Sequence, residues 1–288
     1  MNIRSDNDTK EMIVAQALDS LEGRVALAQA MVEPIKISLE YQAVGRKLLM
    51  VDELPQGAYA RYEKDVRATA WVISRRGAVP DMIIEGEEVL VPTFEIATNP
   101  TIRLSEVKAR RFYIVDRAQI KAKEAIQKEE DLNIFNAILA AIAGNPANIV
   151  VSTGGALSLN ALNQAFATIE QHDLTVGKIV CHALRYADIR NFGKTVYDEA
   201  TQKEVLTTGL FGHLFTADIH VSSRCPTTKV MLLAPAEYVG AFPIRQDITV
   251  LPADDPKKLR LGWVIYEEVG IVIINDYALA EVLVTAGS

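Results

Sequence analysis

The sequence predicts an α+β fold with helices that flank a mixed sheet, and three features of the residue pattern support this class. A long amphipathic helix is expected over residues 116–143, and an extended β-hairpin precedes it over residues 57–97. After residue 147, short helices alternate with strands in an order typical of α+β proteins. With 288 residues, the chain can form one large domain or two modest ones.

The composition narrows the range of functions. An apolar fraction of 49% excludes general disorder. The net charge of −7 argues against tight binding of nucleic acid, because such binding needs a basic patch, whereas the basic doublets here are short and scattered. The polar N-terminal residues predict no secretory signal, and no apolar stretch is long enough to cross a bilayer. We therefore expect no membrane partner, a cytoplasmic site of synthesis and assembly, and reduced thiols.

Residues 8–33 predict an amphipathic helix at the N-terminus. Its apolar residues alternate steps of four and three and form one stripe; they include Val14, Leu18, Leu21, Val25, Ala28 and Val32. Glu33-Pro34 ends the helix, since the residue before a proline avoids the helical conformation. Two roles stay open: an ordinary core helix, or an arm that packs on a neighbouring subunit or on a scaffold.

Residues 57–97 predict an extended two-stranded projection. Residues 68–74 and 89–96 are rich in strand formers, and Gly77, Pro80 and Gly86 interrupt the segment between them with turns. An isolated hairpin is only marginally stable in water, so a hairpin of this length needs a surface to lie on. The pattern therefore indicates a partner surface.

The helix over residues 116–143 is the strongest helical pattern in the chain. Asp116 is expected as its N-cap, and Gly144-Asn145-Pro146 as its stop. Its predicted apolar stripe consists of Val115, Ala118, Ala122, Ala125, Leu132, Phe135, Leu139 and Ile142. The opposite, solvent-facing side is predicted to carry Lys121, Lys123, Glu124, Lys128, Glu130 and Asp131.

The remainder of the chain predicts alternating short elements. Helices are expected from Ser158 and over residues 183–192, with a short one after Pro235. Strands are predicted over residues 178–181, 218–223, 229–234 and 247–251, and residues 259–274 are expected to form a strand pair. Residues 191–212 are polar and are interpreted as a loop.

The motifs that usually accompany catalysis are incomplete in this sequence. Gly193-Lys194-Thr195 resembles the end of a phosphate-binding loop, but Asp188 stands where that motif requires its first glycine. Cys181 is expected to be a buried thiol, because neighbouring strand residues such as His182 point to opposite faces. We therefore predict no catalytic, metal-binding or cofactor-binding residue and no cofactor.

The four histidines are candidate metal ligands by residue type alone. His172, His182, His213 and His220 show none of the usual ligand spacings, with each other or with the two cysteines. His172 is expected to end a helix, where a cation suits the helix dipole, and His220 to face outward from a strand. A metal-dependent enzyme that uses His172, His182 and His213 remains the remote alternative.

The order of these elements, together with local stretches, resembles the major capsid proteins of tailed bacteriophages that share the Hong Kong 97 (HK97-like) fold. The stretches that carry the resemblance are residues 118–139, 174–192, 209–223 and 268–278. The resemblance covers roughly residues 30 to 286. It implies an N-terminal helix and arm over residues 1–56, an extended loop over 57–97, a peripheral domain over 98–150 and 252–288 whose spine helix is 116–143, and an axial domain over 151–251.

Function follows as an implication of that resemblance. Subunits of this family form hexamers and pentamers that close into an icosahedral shell around double-stranded DNA, without sequence-specific binding. The expected contacts of the extended loop with a neighbour are Arg75, Arg76, Asp81, Ile84, Glu85 and Glu87. Those of the N-terminal helix with a neighbour or a scaffold are Leu18, Leu21 and Val25.

The resemblance also implies partners. Too few residues precede the arm for a fused scaffolding domain, so a separate scaffolding protein is expected beside portal and possibly decoration proteins. Because no lysine occurs between Lys64 and Lys108, a covalent cross-link from the extended loop is not expected. Encapsulin nanocompartments share the fold and remain the principal alternative.

Overall fold

The computed structural model describes residues 44–55, 57–63, 88–103, 105, 113–192 and 213–286. The helices of this part are α1 (Gly45–Leu48), α2 (Tyr113–Gly144), α3 (Leu159–Glu170), α4 (Ala183–Arg190) and α5 (Ala236–Val239). Its strands are β1 (Met50–Glu53), β2 (Ala60–Glu63), β3 (Glu88–Val91), β4 (Thr93–Thr98), β5 (Thr101–Arg103), β6 (Ile149–Thr153), β7 (Lys178–Cys181), β8 (His213–Leu214), β9 (Ala217–Val221), β10 (Lys229–Leu233), β11 (Gly240–Pro252), β12 (Arg260–Gly270), β13 (Val272–Ile273) and β14 (Leu279–Thr285). The predicted N-terminal helix over residues 8–33 lies outside the described residues.

The first sheet has six strands and is built around the two long strands β11 and β12. Its main order is β1-β11-β12-β4, and β13 pairs with β11 while β5 pairs with β12. Strand β1 runs parallel to β11, with Met50 opposite Ala241, and the other pairings are antiparallel. The sequence near the N-terminus is thereby joined to the C-terminal third of the chain.

The second sheet also has six strands, in the order β6-β14-β10-β7-β9-β8. Helix α3 packs against β14 and β6. The central strand β10 is covered on both faces, because Val230, Met231, Leu232 and Leu233 all have no exposed surface. A continuous apolar run of this kind is typical of a strand buried between two layers.

Each sheet contains strands from more than one of the segments that the sequence predicts as domains. Strand β11 lies in the first sheet, although residues 151–251 were expected to form one axial unit. Strand β14 lies in the second sheet, although residues 252–288 were expected to complete the peripheral unit. Hydrogen bonds between strands that are far apart in sequence decide to which sheet a strand belongs. The local residue pattern of a strand does not indicate its partner.

Helix α2 has 32 residues and is about 48 Å long at 1.5 Å per residue. It begins at Tyr113, so Asp116 lies in its first turn and is not its N-cap, and it ends at Gly144 as predicted. Its buried residues form a row with a spacing of four, and the row includes a carboxylic acid: Ala122, Ile126, Glu130, Ile134, Ile138 and Ile142.

The predicted stripe of α2 was partly wrong. Ala122, Phe135 and Ile142 are buried, but Ala125 is exposed and Leu132 and Leu139 are only half-buried. Glu130 and Asp131 were assigned to the solvent-facing side and are buried. The assignment failed because a charged residue was assumed to face solvent, whereas the helix here packs on an arginine.

Of the extended loop predicted over residues 57–97, the described residues form the two strands at its base. Strands β2 and β3 form a separate antiparallel pair, with Ala60 opposite Val91. The predicted strand over residues 89–96 is split at Pro92, which has no N–H to donate to a ladder, and its second half, β4, pairs with β12 instead. The other predicted strand, residues 68–74, lies outside the described residues.

The shorter predicted elements of the second sheet are confirmed with shifts of one or two residues at their ends. Strand β7 has the predicted bounds. Helix α3 follows Ser158, whose hydroxyl oxygen accepts a hydrogen bond from the N–H of Ala161 at 3.2 Å. Helix α4 ends at Arg190, and β9 and β10 fall on the predicted segments. Apart from Asn191 and Phe192, the loop predicted over residues 191–212 lies outside the described residues.

The strand pair predicted over residues 259–274 was wrong. Residues Arg260–Gly270 form the single strand β12, which pairs with β11 on one side and with β4 and β5 on the other. The alternating pattern reflects one long strand in the middle of a sheet. Strand β11 is likewise longer than the predicted segment 247–251.

Gly240 provides a test of the close packing of β13 on β11. A Cβ at this position would overlap the carbonyl oxygen of Val272 and press on Ile273. We expect Gly240→Ala to cost about 1–3 kcal/mol through overpacking, and to lower the Tm by roughly 2–9 °C. The matched control is Gly144→Ala at the end of α2, where nothing lies within 4 Å of the added carbon. Calorimetry that found equal Tm values for the two variants would contradict this packing.

Candidate functional site: a buried charge cluster and the base of the extended loop

Arg46 lies between α2 and the first sheet and forms two buried ion pairs. Its Nε is 2.8 Å from Oε1 of Glu130, and its Nη2 is 2.9 Å from Oε2 of Glu267. The side chain of Arg46 is 7% exposed, and those of both glutamates are 0% exposed. The two pairs therefore join α1, α2 and β12, which are distant in sequence. We call Arg46, Glu130, Asp131, Asp247 and Glu267 the Arg46 cluster.

The backbone of α1 also docks on α2. The N–H of Gly45 donates to Oδ1 of Asp131 at 2.8 Å. A Cβ at Gly45 would overlap Cδ1 of Ile134, so a larger residue here would require that buried side chain to shift. Leu48 and Leu49 follow directly and are buried in the main core. The short segment is thus held by charge, by a backbone hydrogen bond and by apolar burial.

Acidic groups outnumber basic groups in the Arg46 cluster. It contains one guanidinium and four carboxyl groups, those of Glu130, Glu267, Asp131 and Asp247. Burial, and next the neighbouring Glu130, raises the pKa of Glu267 to about 8. Burial also raises the pKa of Glu130, although the Coulomb attraction of Arg46 opposes it. Oε2 of Glu130 and Oε1 of Glu267 have no hydrogen-bond partner. One proton held by the glutamate pair would make Arg46, Glu130 and Glu267 neutral together.

The surroundings of Arg46 favour its charged state. Burial alone would lower its pKa, but the Coulomb attraction of Glu130 and its hydrogen bond raise it. The guanidinium also lies over the ring of Phe242, 5.7 Å from its centre, a distance that gives a cation–π attraction. Burial raises the pKa of Asp131 in spite of its hydrogen bond from Gly45. These contacts equip the cluster to hold elements together and to retain a proton.

A second polar network fixes the base of the extended loop. Nη1 of Arg245 is 2.9 Å from Oε1 of Glu268, which also accepts a short hydrogen bond from the hydroxyl of Thr93. Nη2 of Arg245 donates to the carbonyl oxygen of Ala58. Arg245 thus ties the two ends of the loop to β11 and β12.

The inner face of the loop base is apolar. Ala60 and Val91 pack with Ala241 and Val272 in a small second core. On the outer face, Leu90 is 60% exposed and lies next to the exposed ion pair of Arg61 and Glu88. The base is therefore anchored from one side and open to solvent on the other.

An open groove lies between β4 and α2. Its cavity volume is about 400 Å³, and its lining combines apolar and polar side chains. The lining residues are Phe94, Glu95, Ile96, Ala97, Thr98, Ala125, Ile126, Glu129 and Asn133.

The contact residues predicted from the sequence lie outside the described residues. This applies to Arg75, Arg76, Asp81, Ile84, Glu85 and Glu87 of the extended loop, and to Leu18, Leu21 and Val25 of the N-terminal helix. Their contacts remain predictions.

The histidines occupy separate places. The ring of His172 lies 4.4 Å from that of Tyr277, Nδ1 of His182 accepts from the N–H of Leu184 at the start of α4, and His213 pairs with Asp218. His220 is half-buried, and burial, with nearby Lys47 and Lys178, lowers its pKa. Within the described ranges, no group of three His, Cys, Asp or Glu residues is arranged to hold a metal ion. In the same part of the chain, no helix is long and apolar enough to span a membrane.

Comparison with known proteins shows the class of fold. No family model matches the chain, and no curated protein matches its sequence. A solved structure from Microbacterium phage Oxtober96 has a TM-score of 0.64 at 11% identity, over 84% of this chain and 91% of that one. The mature capsid of bacteriophage PhiM1 has a TM-score of 0.63 at 10% identity, over 85% and 88%.

A third similar structure comes from a different source. The virus-like particle from Pyrococcus furiosus has a TM-score of 0.58 at 16% identity, over 89% of this chain and 99% of that one. The chain therefore shares the α+β fold of these structures, which include a bacteriophage capsid and a virus-like particle. The resemblance to major capsid proteins that the sequence indicated is confirmed at the level of the fold.

Removing the guanidinium of the Arg46 cluster tests its structural role. We expect Arg46→Met to cost about 3–5 kcal/mol of unfolding free energy, because it leaves two buried carboxyl groups without their cation. Urea denaturation of the unassembled subunit measures this. Arg61→Met is the control, since its pair with Glu88 is exposed and contributes only about 0–1 kcal/mol. Equal losses in the two variants would refute a special role for Arg46.

The two cysteines test the packing of the second sheet. Both are free and buried, as expected for Cys181, and burial raises the pKa of each thiol to about 12. At pH 8 fewer than about one thiol in a thousand is ionised. We expect a thiol reagent to label the native subunit no faster than the second sheet opens and exposes the thiols. The unfolded chain should be labelled at once. Val221→Cys, at a position 41% exposed on β9, should add one rapidly labelled site. Rapid labelling of the native wild-type chain would contradict this burial.

Proposed function

We propose that this chain is the major capsid protein of a tailed bacteriophage. The observation that carries the proposal is its likeness in fold to phage structures, among them a mature capsid, over 84–85% of its length. In this proposal the subunits form hexamers and pentamers that close into an icosahedral head around double-stranded DNA, without sequence-specific binding. Assembly would take place in the host cytoplasm, with the virion as the final location.

The proposal gives each part of the chain a place in the shell. Helix α2 would be the spine helix, and the first sheet would belong to the peripheral domain. The second sheet, with β14, would form the axial domain, which adjusts the boundaries expected from the sequence. The pairing of strands within each sheet supports this division.

The extended loop supplies the contact between neighbours. Its base is anchored on one face and exposed at Leu90 on the other, which leaves an outer surface available for a neighbouring subunit. We propose that the loop lies over the spine helix of that neighbour, where the groove between β4 and α2 offers a surface. The N-terminal helix would contact a neighbour or a separate scaffolding protein, and portal and decoration proteins would complete the head.

We further propose that the role is structural and not enzymatic, with no metal or cofactor. The separate environments of the histidines and the burial of both thiols support this role. The remote alternative, a metal-dependent enzyme, would be favoured by a monodisperse monomer that retains metal in native mass spectrometry.

An encapsulin-type compartment is the second candidate function. The likeness to the virus-like particle from Pyrococcus furiosus favours it, because this chain covers 99% of that one. Particle content separates the two functions. Particles from the natural source that contain double-stranded DNA support a phage head, and those that contain protein cargo support a compartment.

Size-exclusion chromatography and negative-stain electron microscopy of the purified chain test assembly. We expect rings of five and six subunits or closed shells, formed alone or with a scaffolding protein. A monomer that never assembles, even with candidate scaffolds, would overturn the proposal.

The predicted loop contacts can be tested by charge reversal. We expect Arg75→Glu with Arg76→Glu to raise the protein concentration needed for assembly at least about tenfold, the equivalent of about 1.4 kcal/mol per contact. The Tm of the unassembled subunit should hardly change, since substitutions of surface residues usually alter stability by about 0.5 kcal/mol or less.

The matched control reverses another basic doublet, Lys257→Glu with Lys258→Glu, in an exposed turn before β12. It has the same change in charge but lies outside the loop. Equal assembly defects in the two double variants would indicate a general charge effect and would count against the loop contact.

A further inference from the structure

The joint between α1 and the rest of the molecule combines three buried charged side chains with two buried oxygen atoms that lack partners. Arg46 binds one oxygen of Glu130 and one of Glu267, and the second oxygen of each glutamate is left without a hydrogen bond. One guanidinium balances one carboxylate. The three side chains are therefore neutral together only when the glutamate pair holds one proton.

The element that covers this pair is small. Helix α1 has four residues, too few to be stable as a helix without packing. It is retained by Arg46, by the hydrogen bond from Gly45 to Asp131, by burial of Leu48 and Leu49, and by a short hydrogen bond from Nζ of Lys178 to the carbonyl of Lys47. If α1 lifts, Arg46 leaves with it and water reaches the carboxyl groups.

We propose that Arg46, Glu130 and Glu267 form a proton-dependent latch, which holds α1 on α2 and β12 while the glutamate pair keeps one proton and lets α1 detach locally when the proton is lost. The latch joins the N-terminal end of the described residues to α2 and β12. This inference concerns the single subunit, and it stands or falls independently of shell assembly.

The direction of the pH effect follows from the glutamate pair. Burial and the neighbouring Glu130 raise the pKa of Glu267 in the closed joint to about 8, above its ordinary value of 4.5. A hydrated, open joint releases the proton near the ordinary value. The closed joint is therefore most stable at and below about pH 4.5, and it loses stability as the pH rises toward 8.

The other charged groups near α1 either add to the loss of stability at high pH or lie exposed or bonded elsewhere. Asp131 on α2 and Asp247 on β11 add negative charge beside the glutamates, so they disfavour ionisation of the pair. Other charged residues on α1, β1 and α5 are exposed or already bonded: Lys47, Glu53 and Glu237 are exposed, and Asp52 accepts a hydrogen bond from Tyr62.

Hydrogen–deuterium exchange of the unassembled full chain tests the latch. Protection factors of peptides over residues 45–53, corrected for the intrinsic pH dependence of exchange, report the opening of α1. We expect the opening constant to rise by up to about tenfold per pH unit between pH 5 and 8, as for release of one proton, and to level off above. Peptides of α3 should keep constant protection over this range.

Two variants each replace one ionisable carboxyl group of the glutamate pair with an amide. Glu267→Gln keeps the shape and an oxygen acceptor for Arg46 but cannot ionise, so the opening constant should lose its pH dependence. Glu130→Gln should do the same and serves if the first variant does not fold. The control is Glu129→Gln, at the exposed position next to Glu130 on α2, which should retain the wild-type slope.

Three results would overturn the latch. A pH-independent opening constant in the wild type is one, and a wild-type slope in both Glu267→Gln and Glu130→Gln is another. The third is an equal pH dependence in the peptides of α3, which would indicate opening of the whole subunit and no local joint.

Discussion

The burial of Arg46 between Glu130 and Glu267 is the constraint on which the arrangement of the described subunit depends. These three side chains come from α1, α2 and β12, and they fix the long helix against the first sheet at one point. Removing charges from water is costly, so such a cluster is stable only if the partners meet in good geometry. The directional contacts of the cluster therefore help to specify which way α2 lies across the sheet.

Polar contacts attach two short parts of the chain to the body of the described subunit. Arg245 fixes both ends of the extended loop by binding Glu268 and the carbonyl of Ala58. Arg46 plays the corresponding part for α1, which it binds to α2 and β12. Directional hydrogen bonds at these two places add to the apolar burial of Leu48 and Leu49 and of Ala60 and Val91.

The proposed shell also explains why the likeness to capsid structures survives at 10–16% identity. The core needs side chains of suitable volume and pattern, and many sequences meet that need. Contacts between subunits are numerous and individually moderate, so each can change as long as the neighbouring surface changes with it. A search for sequence motifs therefore finds little, whereas the order of the elements and their packing remain recognisable.

The sequence by itself determined the elements with strong local signals. Ser158, Gly144 and the apolar run of β10 specify a cap, a helix end and a buried strand through interactions within a few residues. Tertiary structure alone decided that β11 and β14 belong to different sheets, that residues 260–270 form one central strand, and that Glu130 points inward. The physical reason is common to all three: each depends on a partner far away in the sequence, and for Glu130 that partner is Arg46, 84 residues earlier.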